Sequence, residues 1–305
     1  MIPFSVPGHF YRGNLHTHSI LSDGGLAPEA VSDAYKRAGY DFYALTDHFL
    51  ARYQWPIADT RGHRSNAFTT LIGSELHSGV NSAGDLWHIL AIGLPLDFAP
   101  AKVDESGPAL AARARAAGAF VAIAHPAWSQ LTIEDGRALA VSADAVEIYN
   151  HGSAVENDRG DGLYLLDQLL SEGHRLTAIA TDDAHFRTGD SDAFGGFVMV
   201  KAEALTPEAL LAALKAGHFY ASQGPRLDDV RFIEGELRVS CSPVHAITVL
   251  GGACKTATRL GRDIVDAAFP LEKLRDVAGK RGWVRVAILD AGGRRAWTNP
   301  LWLHL

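Results

Sequence analysis

The chain has 305 residues, of which 47% are hydrophobic, and a formal net charge of −7. This length suffices for one large domain, or for a medium domain followed by a small one. The acidic balance, without any block of Lys and Arg, argues against a long nucleic-acid duplex as partner. No run reaches the roughly 18 apolar residues of a membrane span, and the first residues do not resemble a secretory signal. We therefore expect a cytoplasmic protein that does not bind membranes.

Short apolar runs alternate with helical patterns over the first two thirds of the chain. After a first strand that leads into His16, further strands are predicted at 41–46, 70–74, 88–92, 120–124, 145–149, 176–180 and 196–200. Helices are predicted at 28–38, 107–117, 163–171 and 206–214. Such alternation predicts a parallel sheet with helices outside it. The number of units in roughly 220 residues favours a closed barrel over an open sheet.

The pattern changes after Gly224-Pro225. Short strands are predicted at 230–232, 237–241, 246–250, 284–289 and 295–298, with a hairpin turn at 290–293. We therefore predict two domains, an α/β barrel over 1–225 and a small all-β, sandwich-like domain over 226–305.

Histidines and carboxylates stand at the ends of the predicted strands. With 14 histidines and only two cysteines in the chain, a metal site would have to use imidazole and carboxylate ligands. Because the carboxyl ends of parallel barrel strands converge on one face, these residues are expected to meet there. His88 is the exception, since it begins its strand. The candidates at or just after strand ends are His16, His18, Asp23, His48, Glu75, His125, Asp183 and His185.

The ordered motifs resemble those of the PHP (polymerase and histidinol phosphatase) superfamily over residues 13 to about 225. The motifs are Leu15-His16-Thr17-His18 with Ser22-Asp23-Gly24, Thr46-Asp47-His48, Gly73-Ser74-Glu75, Ala124-His125-Pro126 and Asp183-Ala184-His185. The segments 219–225 and 296–303 are similar to the stand-alone, carbaryl-hydrolase-like members that carry a C-terminal β domain. The resemblance implies a distorted (β/α)7 barrel with two or three divalent ions, Mn, Zn or Fe, at the C-terminal mouth.

The resemblance also implies a distribution of ligands among the ions. One ion would take His16, His18, Glu75 and Asp183. A second would share Glu75 and take His88 and His125, while the third would take Asp23, His48 and His185. Clustered divalent ions activate a bound water and clamp substrate oxygens, so no side-chain nucleophile is required.

Catalytic and substrate-binding roles follow from position beside these ligands. Asp183 is expected to orient or deprotonate the water, and His151 either protonates a leaving group or packs on the rim. His77 and Arg187 are expected to bind a phosphate or carboxylate. Asp47 and Asp182 either hydrogen-bond ligand imidazoles or fix turns.

Three functions are compatible with this pattern. The leading one is a metal-dependent phosphoesterase acting on a small phosphorylated molecule. The second is a metal-dependent amide, carbamate or ester hydrolase, as in the carbaryl-hydrolase-like subgroup. The third is a non-catalytic metal-binding regulatory module. The sequence leaves the oligomeric state open.

Overall fold

The computed structural model describes residues 3–189 and 191–303, which form a mixed α/β fold dominated by β-sheet. Over the first part of the chain the strands are β1 His9–Asn14, β2 Phe42–Leu45, β3 His48–Phe49, β4 Thr69–Leu76, β5 Ile89–Ile92, β6 Phe120–Ile123, β7 Ala145–Asn150, β8 Thr177–Thr181, β9 Phe197–Ala202 and β10 Phe219–Ser222. The helices between them are α1 Pro28–Arg37, α2 Gly107–Ala116, α3 Ile133–Ala140, α4 His151–Asn157, α5 Leu163–Ser171 and α6 Pro207–Lys215. None of the helices in the described ranges is long and apolar enough to cross a bilayer.

The hydrogen-bonded strand order in this part is β10-β9-β1-β2-β4-β5-β6-β7-β8. The pairs β1–β2, β2–β4, β6–β7 and β7–β8 are parallel, as predicted, whereas β5 runs antiparallel to both of its neighbours and β9 runs antiparallel to β1. At the end of this path β8 packs against β9 and β10. A Cβ on Gly196, just before β9, would lie 2.2 Å from the Thr181 carbonyl oxygen, so only glycine permits this approach. The α/β class is confirmed, while the count of seven barrel units stays a prediction.

Apolar side chains from successive strands fill the interior of this curved sheet. Phe42, Leu71, Leu90 and Phe120 are buried there, and Leu214 of α6 joins the same cluster. A second cluster lies between the sheet and α2, α3 and α5. These two packed layers fix the positions of the strand ends, where the predicted metal ligands lie.

The last part of the chain continues the sheet. Its elements are β11 Leu227–Ile233, β12 Glu236–Gly251, β13 Thr256–Pro270, α7 Leu271–Ala278, β14 Trp283–Leu289, β15 Arg295–Thr298 and β16 Leu301–Trp302. β15 pairs antiparallel with β10, which joins this part to the barrel strands. Asn299 adds three buried hydrogen bonds, accepting from the Ala178 amide at 2.8 Å and donating to the Gly217 and Phe219 carbonyl oxygens. The division into domains at residue 225 stays a prediction.

The prediction that this part contains only strands was wrong in one respect. Helix α7 buries Leu274 and Val277 in the same core as strands β12 and β14. Its amphipathic pattern spans only two turns, too short to stand out among the flanking strands. Strand β13 was also missed, because most of its side chains are exposed. It therefore has no buried face to produce an alternating pattern.

Candidate metal centre

The predicted ligands lie together at the C-terminal ends of the parallel strands. His16 and His18 follow β1, His48 begins β3, and Glu75 is the next-to-last residue of β4. His125 follows β6 by two residues, and Asp183 and His185 follow β8. Since these strands run in one direction, their ends share one face of the sheet, as the sequence indicates.

His88 reaches the same place by a different route. It precedes β5, which runs antiparallel to β4 with Leu90 opposite Glu75. The start of β5 therefore lies beside the end of β4. The His88 Nδ1 atom lies 2.6 Å from the Glu75 Oε1 atom. A prediction based on parallel strands alone has no means of placing this residue.

Glu75 is the central carboxylate of the cluster and is completely buried. Its Oε2 atom lies 2.7 Å from His48 Nδ1 and about equally far, 3.5 and 3.6 Å, from His18 Nε2 and His16 Nε2. Its Oε1 atom lies 3.2 Å from His125 Nε2. One carboxylate thus faces imidazoles from four separate segments, an arrangement in which it can bridge metal ions.

Asp183 forms a second convergence point. Its Oδ1 atom lies 3.0 Å from His18 Nε2 and 3.1 Å from His16 Nε2, and its Oδ2 atom accepts from Asn150 Nδ2 at 3.0 Å. Its backbone has φ = +57°, a left-handed conformation that Asp tolerates better than most residues. Such strain persists where the surroundings enforce it, commonly at functional sites.

Asp23 organises the outer side of the cluster. Its Oδ1 atom lies 3.4 Å from His48 Nε2 and 3.5 Å from His185 Nε2, and 4.0 Å from His18 Nδ1. Its Oδ2 atom accepts from Arg187 Nη2 at 2.8 Å. This grouping resembles the ligand set predicted for a third ion, with His18 now added.

The donor atoms fall into four overlapping groups within which all atoms lie within 4.8 Å of one another. The groups are His18, Asp23, His48 and His185; His48, Glu75, His77 and His88; His16, His18 and Glu75; and His16, His125 and Asp183. All nine predicted ligands occur in them, and one further residue, His77, joins them.

The electrostatics of the cluster suit cations. Burial opposes ionisation of Glu75, but the imidazoles of His48, His88 and His16 outweigh it and hold the pKa of this carboxyl well below its usual range. Burial and the neighbouring imidazoles, His48 among them, lower the pKa of His18 to about 3. At neutral pH this imidazole is uncharged and retains the lone pair that metal coordination needs.

The donor set fits divalent metal ions. Of the buried side-chain atoms that have no hydrogen-bond partner within the described residues, four belong to this cluster: His16 Nε2, His18 Nδ1, Asp23 Oδ1 and Glu75 Oε2. Unpartnered buried polar atoms are costly, and a coordinated cation removes that cost. Imidazoles mixed with carboxylates match the preferences of Zn²⁺, Mn²⁺ and Fe²⁺.

Of the two predicted substrate-binding residues, Arg187 lines the cavity at the cluster, where its guanidinium pairs with Asp23. His77 also borders this cavity but is only 2% exposed. Its Nδ1 atom lies 2.9 Å from the Trp87 carbonyl oxygen and must be the donor, so its Nε2 lone pair faces His48 Nδ1 at 2.9 Å. This geometry favours a role in the cluster over contact with substrate.

The structure does not bring His151 to the cavity. Its Nδ1 atom hydrogen-bonds with the Tyr149 hydroxyl at 2.9 Å, and its ring packs against Gly195. The described residues that line the cavity include Gly152, the next residue in the chain, but not His151. His151 begins α4. Which of its two expected roles it has, protonating a leaving group or packing on the rim, stays a prediction.

Asp47 and Asp182 fix loops and do not contact ligand imidazoles. Asp47 accepts from Ser19 and from the Ser22 hydroxyl, which holds the loop that carries Asp23. Asp182 accepts from the Tyr35 hydroxyl and from the backbone amides of residues 195 and 196, each at 2.9 Å. The alternative of a turn role is the correct one for both.

Glu147 is a functional residue that the sequence analysis missed. It is completely buried on β7 and accepts from His16 Nδ1 at 2.9 Å, from the His125 amide at 2.6 Å, from Asn150 Nδ2 at 3.0 Å and from the Thr181 hydroxyl. A buried carboxylate on Nδ1 orients an imidazole and leaves Nε2 for a metal. An acidic residue in an otherwise apolar strand was the available signal.

The cavity at the cluster has a volume of about 310 Å³. Besides the predicted ligands and His77, it is lined by Arg52, Arg187, Glu156, Leu50, Leu86, Trp128, Gly152 and Ser153. Arg52 was not predicted, because the loop after β3 carries no motif that marks it.

Comparisons with known proteins support the fold. The chain is similar to a two-domain protein from Bacteroides vulgatus that contains a predicted PHP-like metal-dependent phosphoesterase, with a TM-score of 0.53, 16% identity and 98% of each chain covered. It is also similar to a candidate metal-dependent phosphoesterase from Bifidobacterium adolescentis (TM-score 0.44, 14% identity, 67% of this chain and 95% of the other) and to an amidohydrolase from Chromobacterium violaceum (0.39, 17%, 57% and 87%). No family model and no curated protein sequence matches the chain. The first likeness confirms the PHP-like fold, while the carbaryl-hydrolase-like subgroup and the division into two domains stay predictions.

Proposed function

We propose that this protein is a metal-dependent hydrolase that cleaves a phosphate ester of a small molecule. The observation that carries this proposal is the arrangement of nine buried or half-buried imidazole and carboxylate groups around Glu75, in a cavity that Arg52 and Arg187 also line, together with Glu156. Arginine is the side chain best suited to phosphate oxygens. The fold neighbour from Bacteroides vulgatus contains a predicted phosphoesterase of this kind, which agrees with the proposal.

The ligands would hold two or three divalent ions of Mn, Zn or Fe in the sets described above. Such ions, when bound, lower the pKa of a coordinated water toward about 7 and polarise phosphoryl oxygens. Asp183, fixed by Asn150, would accept and hold the proton of the attacking water through its carboxylate. Glu147 would keep His16 in the tautomer that presents Nε2. Arg52 would bind and orient the anionic head of the substrate.

A carbamate or carboxyl ester is the second candidate substrate. It is favoured by the pairing of Arg187 with Asp23, which reduces the positive charge available to a phosphate. A small-molecule substrate suits both candidates, because the cavity has a volume of only about 310 Å³ and the chain is acidic. The cytoplasmic location stays a prediction.

The test combines metal analysis of the purified protein with turnover of phosphate monoesters, aryl esters and carbamates. His16→Ala is the inactive control, and His245→Ala, an exposed histidine on β12, is the matched control. We expect phosphate-ester turnover that His16→Ala abolishes and His245→Ala retains. Turnover of carbamates or carboxyl esters alone would favour the second candidate. Bound metal without any turnover would instead favour a regulatory module.

A further inference from the structure

A second cavity adjoins the one at the metal centre. Its volume is about 650 Å³, and it shares Leu86, His88 and Trp128 with the first cavity. A phosphate or carbamate head group needs only the cavity at the ligands. The larger neighbouring space is therefore available to the rest of a substrate, within the usual size range of small-molecule sites.

The boundary between the two cavities is apolar and partly exposed. Trp128 and Leu86 are each about two-fifths exposed although both lie beside buried ligands. The Trp128 ring centroid lies 5.2 Å from that of His88 and 4.9 Å from that of His125, in edge-to-face geometry. The remaining indole surface is open to the cavities, where it can pack against a flat ring.

Trp128 is held firmly with respect to the metal ligands. It belongs to a turn in which the Ser129 amide donates to the His125 carbonyl oxygen and the Ser129 hydroxyl lies 2.9 Å from His125 Nδ1. Asn81 Nδ2 donates to the Ser129 carbonyl oxygen at 3.1 Å. With its amide oriented to satisfy both groups, Asn157 accepts from Trp128 Nε1 at 3.2 Å. Such preorganisation lowers the entropy lost on binding a ring.

The far side of the second cavity carries a cation. Asp158, with φ = +59°, ends α4 and directs Arg159 to the cavity wall. Arg159 is the only Lys or Arg among the described residues that line this cavity, and its side chain is exposed. Within the described ranges, Asp85 is the single carboxylate that lines it, and Gln130 and Asn157 supply neutral amides.

We propose that this second cavity is the subsite for the leaving group, and that it takes a planar ring carrying an anionic substituent. The ring packs on Trp128, and the substituent pairs with Arg159. This inference rests on the proposed function insofar as the other end of the ligand occupies the metal centre. It applies equally to a phosphate ester and to a carbamate or carboxyl ester, since each can have an aryl leaving group.

Calorimetric binding to the metal-loaded protein tests the subsite with two series of non-hydrolysable ligands. The first is methylphosphonate, phenylphosphonate and 4-carboxyphenylphosphonate, and the second is acetate, benzoate and 1,4-benzenedicarboxylate. Within each series, the second ligand adds the aromatic ring, and the third ligand adds the carboxylate on that ring. We expect each step to tighten binding about fivefold to tenfold, from ring stacking and then from a charged hydrogen bond.

Two variants assign these steps to residues. Trp128→Ala should remove the gain from the ring, and Arg159→Ala the gain from the carboxylate, each gain being taken relative to the smallest ligand in the same variant. Tyr164→Ala and Arg262→Ala, exposed residues elsewhere, are the matched controls and should change neither step. Metal analysis of each variant, together with its binding of the smallest ligand, shows that it is folded with an intact metal centre.

The outcomes separate this inference from the proposed function. If only the carboxylate series binds, and its steps depend on Trp128 and Arg159, the phosphoesterase proposal fails and the subsite stands. If the smallest ligand of either series binds but the ring and the charge add nothing, or if their gains survive in both variants, the subsite is refuted. Absence of binding by both series refutes both.

Discussion

Replacing Glu147 with Gln tests whether this buried carboxylate controls the metal centre. The carboxylate accepts four hydrogen bonds, two at each oxygen, and donates none. In one orientation the Gln amide nitrogen faces His16 Nδ1 and the Thr181 hydroxyl. In the other it faces the His125 amide and Asn150 Nδ2. In the second orientation two buried N–H donors oppose the NH₂ group, at about 1–3 kcal/mol each, whereas in the first the Thr181 hydroxyl can turn to accept from it.

The first orientation has a chemical consequence beyond stability. The least costly response of His16 is to turn Nδ1 into an acceptor, which moves its proton to Nε2. A protonated Nε2 cannot bind a metal. We expect Glu147→Gln to lower metal affinity about 10- to 100-fold, the range typical of partners that orient a ligand imidazole. The free energy of unfolding should fall by about 1–3 kcal/mol, because hydrogen bonds to an ionised carboxylate are replaced by bonds to a neutral amide.

Chelator-competition titration measures the affinity, and denaturant unfolding the stability. Glu172→Gln is the matched control, because Glu172 pairs with Arg137 at the surface, away from the ligands. It should leave metal affinity unchanged and cost less than about 1 kcal/mol. The reasoning is refuted if Glu147→Gln binds metal within about twofold of wild type, whatever happens to its stability.

Three further predictions concern stability. Removing metal with a chelator should lower the melting temperature in calorimetry, since free metal at about 100 Kd contributes about 2.7 kcal/mol; an unchanged melting temperature would contradict a bound metal. Asn299→Ala removes three buried hydrogen bonds and should lower the free energy of unfolding, measured with denaturant, by about 2–4 kcal/mol. A loss below about 0.5 kcal/mol would show that these bonds do not stabilise the contact between the C-terminal part and the first strands. Asp167→Asn breaks the ion pair with buried Arg285 and should lower the free energy of unfolding by about 1–3 kcal/mol. Asp276→Asn, in an exposed pair with Lys255, should lower it by less than about 0.5 kcal/mol. Equal losses in the two variants would contradict the argument from burial.

The positions of the predicted ligands could be inferred from the sequence, because strands that alternate with helices run parallel and place their ends on one face of the sheet. His16, His48 and His125 each follow a short apolar run, and parallel strands bring such positions to one edge. His88 shows the limit of that argument. His88 precedes β5, and because β5 runs antiparallel to β4, the start of β5 lies beside the ligands at the end of β4. The direction of a strand cannot be read from an apolar run of four residues.

Helix α3 was missed although it carried a usable signal. Thr132 and Asp135 form a capping box, which marks a helix start in the sequence. Gly136 in the first turn weakened the helical pattern, yet the structure gives a reason for it. A Cβ there would lie 2.6 Å from Leu165, so glycine permits α5 to pack closely. The packing of α3 against α5 thus outweighs the low helix propensity of glycine, and this packing cannot be inferred from the local sequence.

The metal centre and the neighbouring cavity are built from different kinds of residue, and this decides what each substitution can change. The ligands are mostly buried side chains at the ends of packed strands, where a small displacement alters several distances to Glu75. Leu86, Trp128 and Arg159 lie on loops and are exposed to solvent in part or in full. Loops on a rigid scaffold tolerate replacement. Changes at these three positions should therefore alter which molecules bind without altering whether the metal ions do.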